Sequence, residues 1–296
     1  MKDLTKRTAN RIIGLLWIMF GAVMLLVFFV FFGISKDWRG DMPSVADLEN
    51  PIDKFASQVI SSDGVVLGSY SYAGDNRVWV DFEELSPDLI KALIATEDIR
   101  FQEHSGIDFR ALVRAIVKRL ILQQKSAGGG STITQQLAKL LYTEQVARNS
   151  VQRMLQKPSE WVIAVRLEKY YTKEEILTMY LNKYDFGNNA IGIYTAAHTY
   201  FGKDPIQLNP EEAAMLVGMC KNSSLYNPLR RKELTQERRN VVLSQMKKAG
   251  FLQEQVCDSL QAQDIVLGGA DERVRGCGAV RARGGHPARA GVEPRD

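Results

Sequence analysis

From Ile12 to Gly33 the chain runs IIGLLWIMFGAVMLLVFFVFFG without one charged side chain. As a helix this run spans about 33 Å, enough to cross a hydrocarbon core, so the pattern predicts a transmembrane helix. A cleaved signal peptide has a shorter apolar region that ends in small residues; here the run stays bulky to Phe32 and passes into Ser35, Lys36, Asp37 and Trp38. Residues 34–56 are polar, with Pro43 and Pro51, and read as a connector. Residues 58–82 then alternate β-branched and aromatic positions with polar ones around Asp63-Gly64 and Ala73-Gly74, the pattern of a β-hairpin or small sheet.

From Glu84 onward the apolar spacing becomes helical. Ser86-Pro87 predicts a helix start, with Leu89, Ile90, Leu93 and Ile94 facing a core and Glu97 at the C-terminal end. A second helix is expected over Phe109 to Leu122, with Leu112, Ile116 and Leu120 on one flank and Arg110, Arg114, Lys118 and Arg119 on the other. Ser131 or Thr132 caps a third, which contains Gln135, Gln136 and Lys139. A fourth covers Met154 to Tyr170, with Pro158 predicting a start or a bend. Thr172 and Glu175 form a capping box for a fifth that ends near Leu181-Asn182, and Asn209, Pro210 and Glu212 repeat the signature for a helix through Met219. Glu233 to Lys248 is closed by Gly250. The fold class is therefore mainly α with a small β element, in a domain over residues 57–265 preceded by the apolar helix at 12–33.

Composition changes this picture in a few places. A chain of 296 residues, 45% hydrophobic and 24% charged, makes one ordinary domain with appendages or two small ones. The net charge of +4 comes from basic residues interspersed with acidic ones; with no basic stripe, no nucleic-acid partner is expected. Cys220, Cys257 and Cys277 have neither the number nor the spacing of a disulfide framework or a zinc site. Lys2, Lys6, Arg7 and Arg11 precede the apolar run, whereas Lys36, Asp37, Arg39 and Asp41 beyond it balance. The positive-inside rule then makes residues 1–11 a cytoplasmic tail and puts everything after the span on the far side of the membrane.

Three segments carry candidate chemistry. Glu97 and Asp98 sit at an expected helix end, followed by a His104-Ser105-Gly106 turn and Asp108. A carboxylate near the negative end of a helix macrodipole is disposed to take up a proton, although solvated helix-end acids would have the same local sequence. The loop GGGSTITQQL places hydroxyl and amide side chains behind glycines that let a backbone approach a ligand closely, and a helix N-terminus there favours an anion such as phosphate. A glycine hinge before a capped helix is the alternative. Lys157 and Glu160, three residues apart, share a helix face and either hold a diphosphate with its metal or form an ion pair at the surface.

Taken in order, these segments resemble the peptidoglycan glycosyltransferase domain of class A penicillin-binding proteins. The matching residues are Glu97-Asp98 with Phe101, His104, Gly106 and Asp108; Gly130 to Leu137; Lys157 with Glu160 and Leu167-Glu168; Ile176-Leu177 with Tyr180-Leu181-Asn182; and the run from Gly187 through Tyr226-Asn227-Pro228. They cover residues 60–246. The resemblance implies a lysozyme-like, mostly helical fold with a small membrane-embedded jaw, and polymerisation of lipid II into glycan strands at the outer face of the plasma membrane. It implies that Glu97 is the general base and that Glu160 supports the leaving diphosphate through a divalent cation such as Mg2+. Lys157 and Lys139 would neutralise charge, Ser131, Thr132, Gln135 and Gln136 would line the donor site, and Arg114 would add a phosphate contact. His104 is expected to stabilise its turn. Partners implied are lipid II, the growing strand, the membrane and other cell-wall synthesis proteins. A lytic enzyme of the same fold class and an inactive scaffold are the competing readings; a lytic enzyme has no need of the STITQQL segment or the Lys157-Glu160 pair.

Two departures stand out. Gln156-Lys157 replaces the Arg-Lys usual in the family, and Cys220 to Ser224 lacks the usual proline. Bifunctional members continue into a transpeptidase, but here Ser244-Gln245-Met246-Lys247 is an SxxK match on an amphipathic helix, with no KTG in the chain. Residues 266–296 turn to Gly, Ala and Arg and lose all hydrophobic period. They are expected to be either a frame-shifted continuation of a longer bifunctional enzyme or a disordered basic tail.

Overall fold

The uncharged run forms the middle of α1, Lys2–Ser35. Its apolar side chains are exposed on all sides, with Trp17 68% and Ile18 71% exposed, and none of the most apolar window is buried within the protein. A helix that is hydrophobic all round suits a lipid surrounding, and the segment Asn10–Ser35 is long and apolar enough to cross a membrane. The computed structural model describes residues 2–37, 57–60, 66–70, 78–120, 130–143 and 150–268. Two units divide the chain: Met1–Asp53 with Arg100–Tyr180, and Lys54–Ile99 with Leu181–Asp296.

The second unit contains an antiparallel hairpin of β1, Ser57–Ile60, and β2, Val66–Tyr70, with Ser57 opposite Tyr70 and an irregularity between Val59 and Ile60. Its first helix, α2, spans Pro87–Glu97 and buries Leu89, Ala92 and Leu93 completely. The first unit continues with α3, Phe109–Leu120, α4, Ile133–Ala138, and α5, Ser150–Tyr170. A π-turn over Lys139–Thr143 follows α4. Helix α6, Lys173–Lys183, runs across the unit boundary at Tyr180 and Leu181. Beyond it lie α7, Ile193–Phe201, α8, Pro210–Met219, α9, Lys232–Lys248, and α10, Glu254–Ala262.

In the first unit α4 packs on α5, and so does α1. Phe31 stacks on Trp161 with ring centroids 6.0 Å apart. The Arg166 guanidinium donates 2.8 Å to the Ser35 carbonyl, satisfying one of the orphan acceptors at the end of α1. In the second unit α2 packs against α8 and α9, and α8 is buried from Ala213 through Met219. Asn182 supplies what a strand neighbour would: its amide accepts from the Val80 N–H at 3.1 Å and donates to the Val80 carbonyl at 2.8 Å. Arg239 is buried; its guanidinium donates to the Gln263 carbonyl at 2.6 Å and to the Asn240 side chain at 2.9 Å. Burial disfavours its charge, and these acceptors tie α9 to the end of α10.

Most expected elements are present, with corrections at their starts. Helix α5 begins at Ser150 and carries Pro158 inside it, so Pro158 does not start the helix. Its local cost, about 3 kcal/mol, is opposed by Ile163, Ala164 and Leu167, all buried on the same helix. Ser86 occupies the N-cap of α2, but its hydroxyl donates to the Leu208 carbonyl at 3.0 Å instead of capping. Thr132, not Ser131, caps α4, accepting from the Gln135 N–H at 3.2 Å. The box before α6 forms as expected, the Thr172 N–H donating to Glu175 at 2.7 Å. The hairpin turns at Asp63-Gly64 and Ala73-Gly74, the connector beyond Asp37, Gly128, Gly129 and residues 269–296 lie outside the described residues.

Gly106 holds the first unit together at one point. Its φ is +88°, and a Cβ there would lie 2.9 Å from both the carbonyl carbon and oxygen of Ala164. Gly106→Ala is therefore expected to lower stability by about 2 kcal/mol or more, from the left-handed backbone plus the clash. Thermal unfolding of the full chain in detergent measures it, with Ser105→Ala as the neighbouring control.

Candidate active site

Around Gly106 the candidate loop residues come together. The Gly106 carbonyl accepts from the Thr132 hydroxyl at 2.7 Å and from the Gln135 side-chain amide at 3.2 Å. Thr132 and Gln135 are both buried, so these polar atoms act inside the protein and shape the loop. Ser131 is half-buried and donates to the Gln135 amide oxygen at 3.3 Å, and Gln136 accepts from the Tyr180 hydroxyl at 3.0 Å. Lys139 follows α4 and is exposed, as is Arg114 on α3.

A partly buried ion pair joins the segments on either side. Thr134 donates 2.6 Å to the Glu168 carboxylate, and Lys173 lies 2.8 Å from the same group. The Lys173 ammonium also donates 2.6 Å to the His104 carbonyl and sits 4.3 Å from the centre of the Phe101 ring. His104 thus serves its turn through its backbone, while its ring meets Phe101 edge-on. Next to it, Asp108 pairs with Arg100 and accepts from the Ala111 N–H at 2.9 Å at the start of α3. Burial alone would raise the Asp108 carboxyl, but the Ala111 N–H and the Arg100 guanidinium outweigh it and hold the group below its ordinary 3.8.

Lys157 and Glu160 do pair, at 2.6 Å, with a marked asymmetry. The Glu160 side chain is 2% exposed and that of Lys157 59% exposed. A buried carboxylate held by a solvent-facing ammonium differs from the surface ion pair left open by the spacing alone. Among the described residues no three His, Cys, Asp or Glu side chains converge on a metal position. Glu160 is a single buried carboxylate, which fits an ion whose other ligands come from phosphate oxygens and water.

Glu97 belongs to the second unit, at the last turn of α2. Its carboxylate is mostly buried and lies 3.7 Å from the Arg238 guanidinium of α9. Tyr184 is close by: burial raises its phenol far above the ordinary range, and the fields of Cys220, Glu97 and Asp185 push the same way. It therefore stays a neutral donor, 2.8 Å from the Cys220 carbonyl. Arg238, Lys173 and Arg100 were not legible as site residues. Lys173 lies beside a capping box and Arg238 in an Arg-Arg pair on a helix, patterns that charged surface faces share.

Residues 63–247 match the transglycosylase family. The chain belongs to the transglycosylase family. That span agrees with the 60–246 covered by the motifs. Penicillin-binding protein 1A of Escherichia coli strain K12 is 36% identical over 234 residues, covering 79% of this chain and 27% of the relative. Penicillin-binding protein 2a of Streptococcus pneumoniae serotype 2 is 38% identical over 228 residues, 77% of this chain and 29% of the relative. Penicillin-binding protein 1A/1B of Bacillus subtilis strain 168 is 38% identical over 220 residues. This chain thus spans about a third or less of the length of these curated relatives. A crystal structure of penicillin-binding protein 1A from Haemophilus influenzae aligns with 78% of this chain and 25% of that chain, at 24% identity and a TM-score of 0.41, too low to bear on the fold. Every candidate site residue falls within the transglycosylase segment.

The lowered Asp108 carboxyl sets a pH dependence. Its contribution to stability is present in full above its ordinary value of 3.8 and is lost as pH falls through the depressed folded value. In acid unfolding curves, Asp108→Asn is expected to be less stable than the parent at pH 6 and to lose less on going to pH 3.

Proposed function

We propose that this chain is a membrane-anchored peptidoglycan glycosyltransferase that polymerises lipid II into β-1,4-linked glycan strands, with inversion and release of undecaprenyl diphosphate. The transglycosylase match over residues 63–247 carries the reading. Glu97 acts as general base, its carboxylate taking the proton of the acceptor's 4-hydroxyl while that oxygen attacks the anomeric carbon of the donor. The bond from that carbon to the diphosphate oxygen breaks, and the configuration inverts from α to β. Lys157, Lys139 and Arg114 offer exposed cations to the diphosphate. Glu160 keeps the Lys157 ammonium in place, 2.6 Å away. Ser131 and Gln136 contact the donor, and Thr132 and Gln135 hold the loop that presents them.

A divalent cation, Mg2+, is part of this proposal. Glu160 would hold it together with the diphosphate oxygens, and when bound it supplies charge neutralisation to the leaving group. For the lipid, α1 provides the anchor, with the N-terminus in the cytoplasm and the domain outside. Helix α3 adds a lipid-facing stripe, since Phe109, Val113 and Val117 are exposed at four-residue spacing beside Arg110 and Arg114. Cell-wall synthesis proteins are the proposed protein partners.

Glu97→Gln is expected to lower lipid II polymerisation by about 10² to 10⁴-fold while leaving lipid II binding unchanged. Labelled lipid II, resolved by gel for products and by flotation with the protein for binding, gives both; appreciable turnover in the variant removes Glu97 as the base. A chelator added to the same assay is expected to reduce polymerisation and Mg2+ to restore it, and indifference to both removes the cation.

A further inference from the structure

The Arg-Arg pair of α9 divides its work in an unexpected way. Arg239 turns inward to the end of α10, whereas Arg238 reaches the end of α2. The Arg238 side chain is only 11% exposed, and its guanidinium lies 3.7 Å from the Glu97 carboxylate, itself 16% exposed. That separation gives charge attraction without a donated hydrogen bond.

Arg238 is itself held on two other sides. Its Nε donates to the Gly218 carbonyl at 3.4 Å, near the end of α8, and its Cζ lies 5.9 Å from the centre of the Tyr226 ring. Gly218 is where α8 and α9 come close: a Cβ there would be 3.2 Å from the Arg238 Cγ. The guanidinium is thus fixed by a carbonyl, a ring face and a carboxylate drawn from three separate segments. A cation fixed 3.7 Å away draws the carboxylate towards that side of the site.

We propose that Arg238 is a positioning residue for Glu97, keeping its carboxylate aimed for proton transfer. The inference rests on the reading of Glu97 as the general base. At that separation Arg238 acts on the carboxylate through charge attraction.

The test uses the full chain in detergent with lipid II. Arg238→Ala is expected to lower kcat by about 10²-fold, the cost of misplacing a reacting group by about 1 Å, with KM within twofold. Arg238→Lys, which keeps the charge, should retain more activity than Arg238→Gln, which keeps much of the bulk. Added methylguanidinium should recover part of the Arg238→Ala rate, and Arg238→Ala should cost nothing further in a Glu97→Gln background. Equal loss in Lys and Gln variants with a lowered melting temperature and no rescue would make Arg238 a packing residue only and overturn the proposal. Full activity of Arg238→Ala beside an inert Glu97→Gln overturns it too, while leaving Glu97 as base. An active Glu97→Gln instead brings down the reading of Glu97 on which the proposal stands.

Discussion

The first unit is organised by the contact between the Gly106 backbone and that of Ala164. Only a residue without a Cβ combines a φ of +88° with a 2.9 Å approach to a helix backbone. Because the two backbones meet there, the Gly106 carbonyl is presented to Thr132 and Gln135, which complete the N-terminus of α4. The turn at Ser131 and the start of α4 thus take their shape from a glycine about 25 residues earlier in the chain. Every polar group drawn inside by that packing needs a partner, and the partners come from other motifs.

The pair of Glu168 and Lys173 answers that need on one side. Removing one member of such a partly buried pair leaves a charge in a poorer solvent than water, although the intact pair adds little net stability. Its value lies in specification: one carboxylate receives Thr134 from α4, and one ammonium receives the His104 carbonyl and covers Phe101. The Asp108 and Arg100 pair does the same at the start of α3. These charge pairs help to register the segments that carry them.

In the second unit the comparable constraint is the packing of α2 on α8 and α9. It buries Leu89, Ala92 and Leu93 and thereby fixes where α2 ends, which is where Glu97 stands. Gly218 permits the close approach of α9, and Arg238 reaches Glu97 from there. The apolar spacing and the first-turn Pro87 of α2 announced the helix well, because both respond to local backbone geometry. Nothing in that spacing identified the cation opposite, since residues 141 apart in the chain meet only through packing.

Local physics therefore made a large part of this protein legible in the chain alone. The uncharged run announced α1 as a helix long and apolar enough to cross a membrane; the capping boxes at Thr172 and Asn209 marked helix starts, because orphan N–H groups need acceptors within reach. The order of motifs also identified the transglycosylase family. Tertiary structure decided matters that depend on groups distant in sequence: that Pro158 lies inside α5, that Ser86 serves Leu208 and not its own helix, and that Glu160 is buried while Lys157 faces water. It also decided that Thr132 and Gln135 turn inward to Gly106. Burial and the choice among competing hydrogen-bond partners are set by what packs around a side chain, and a single stretch of sequence does not contain its neighbours.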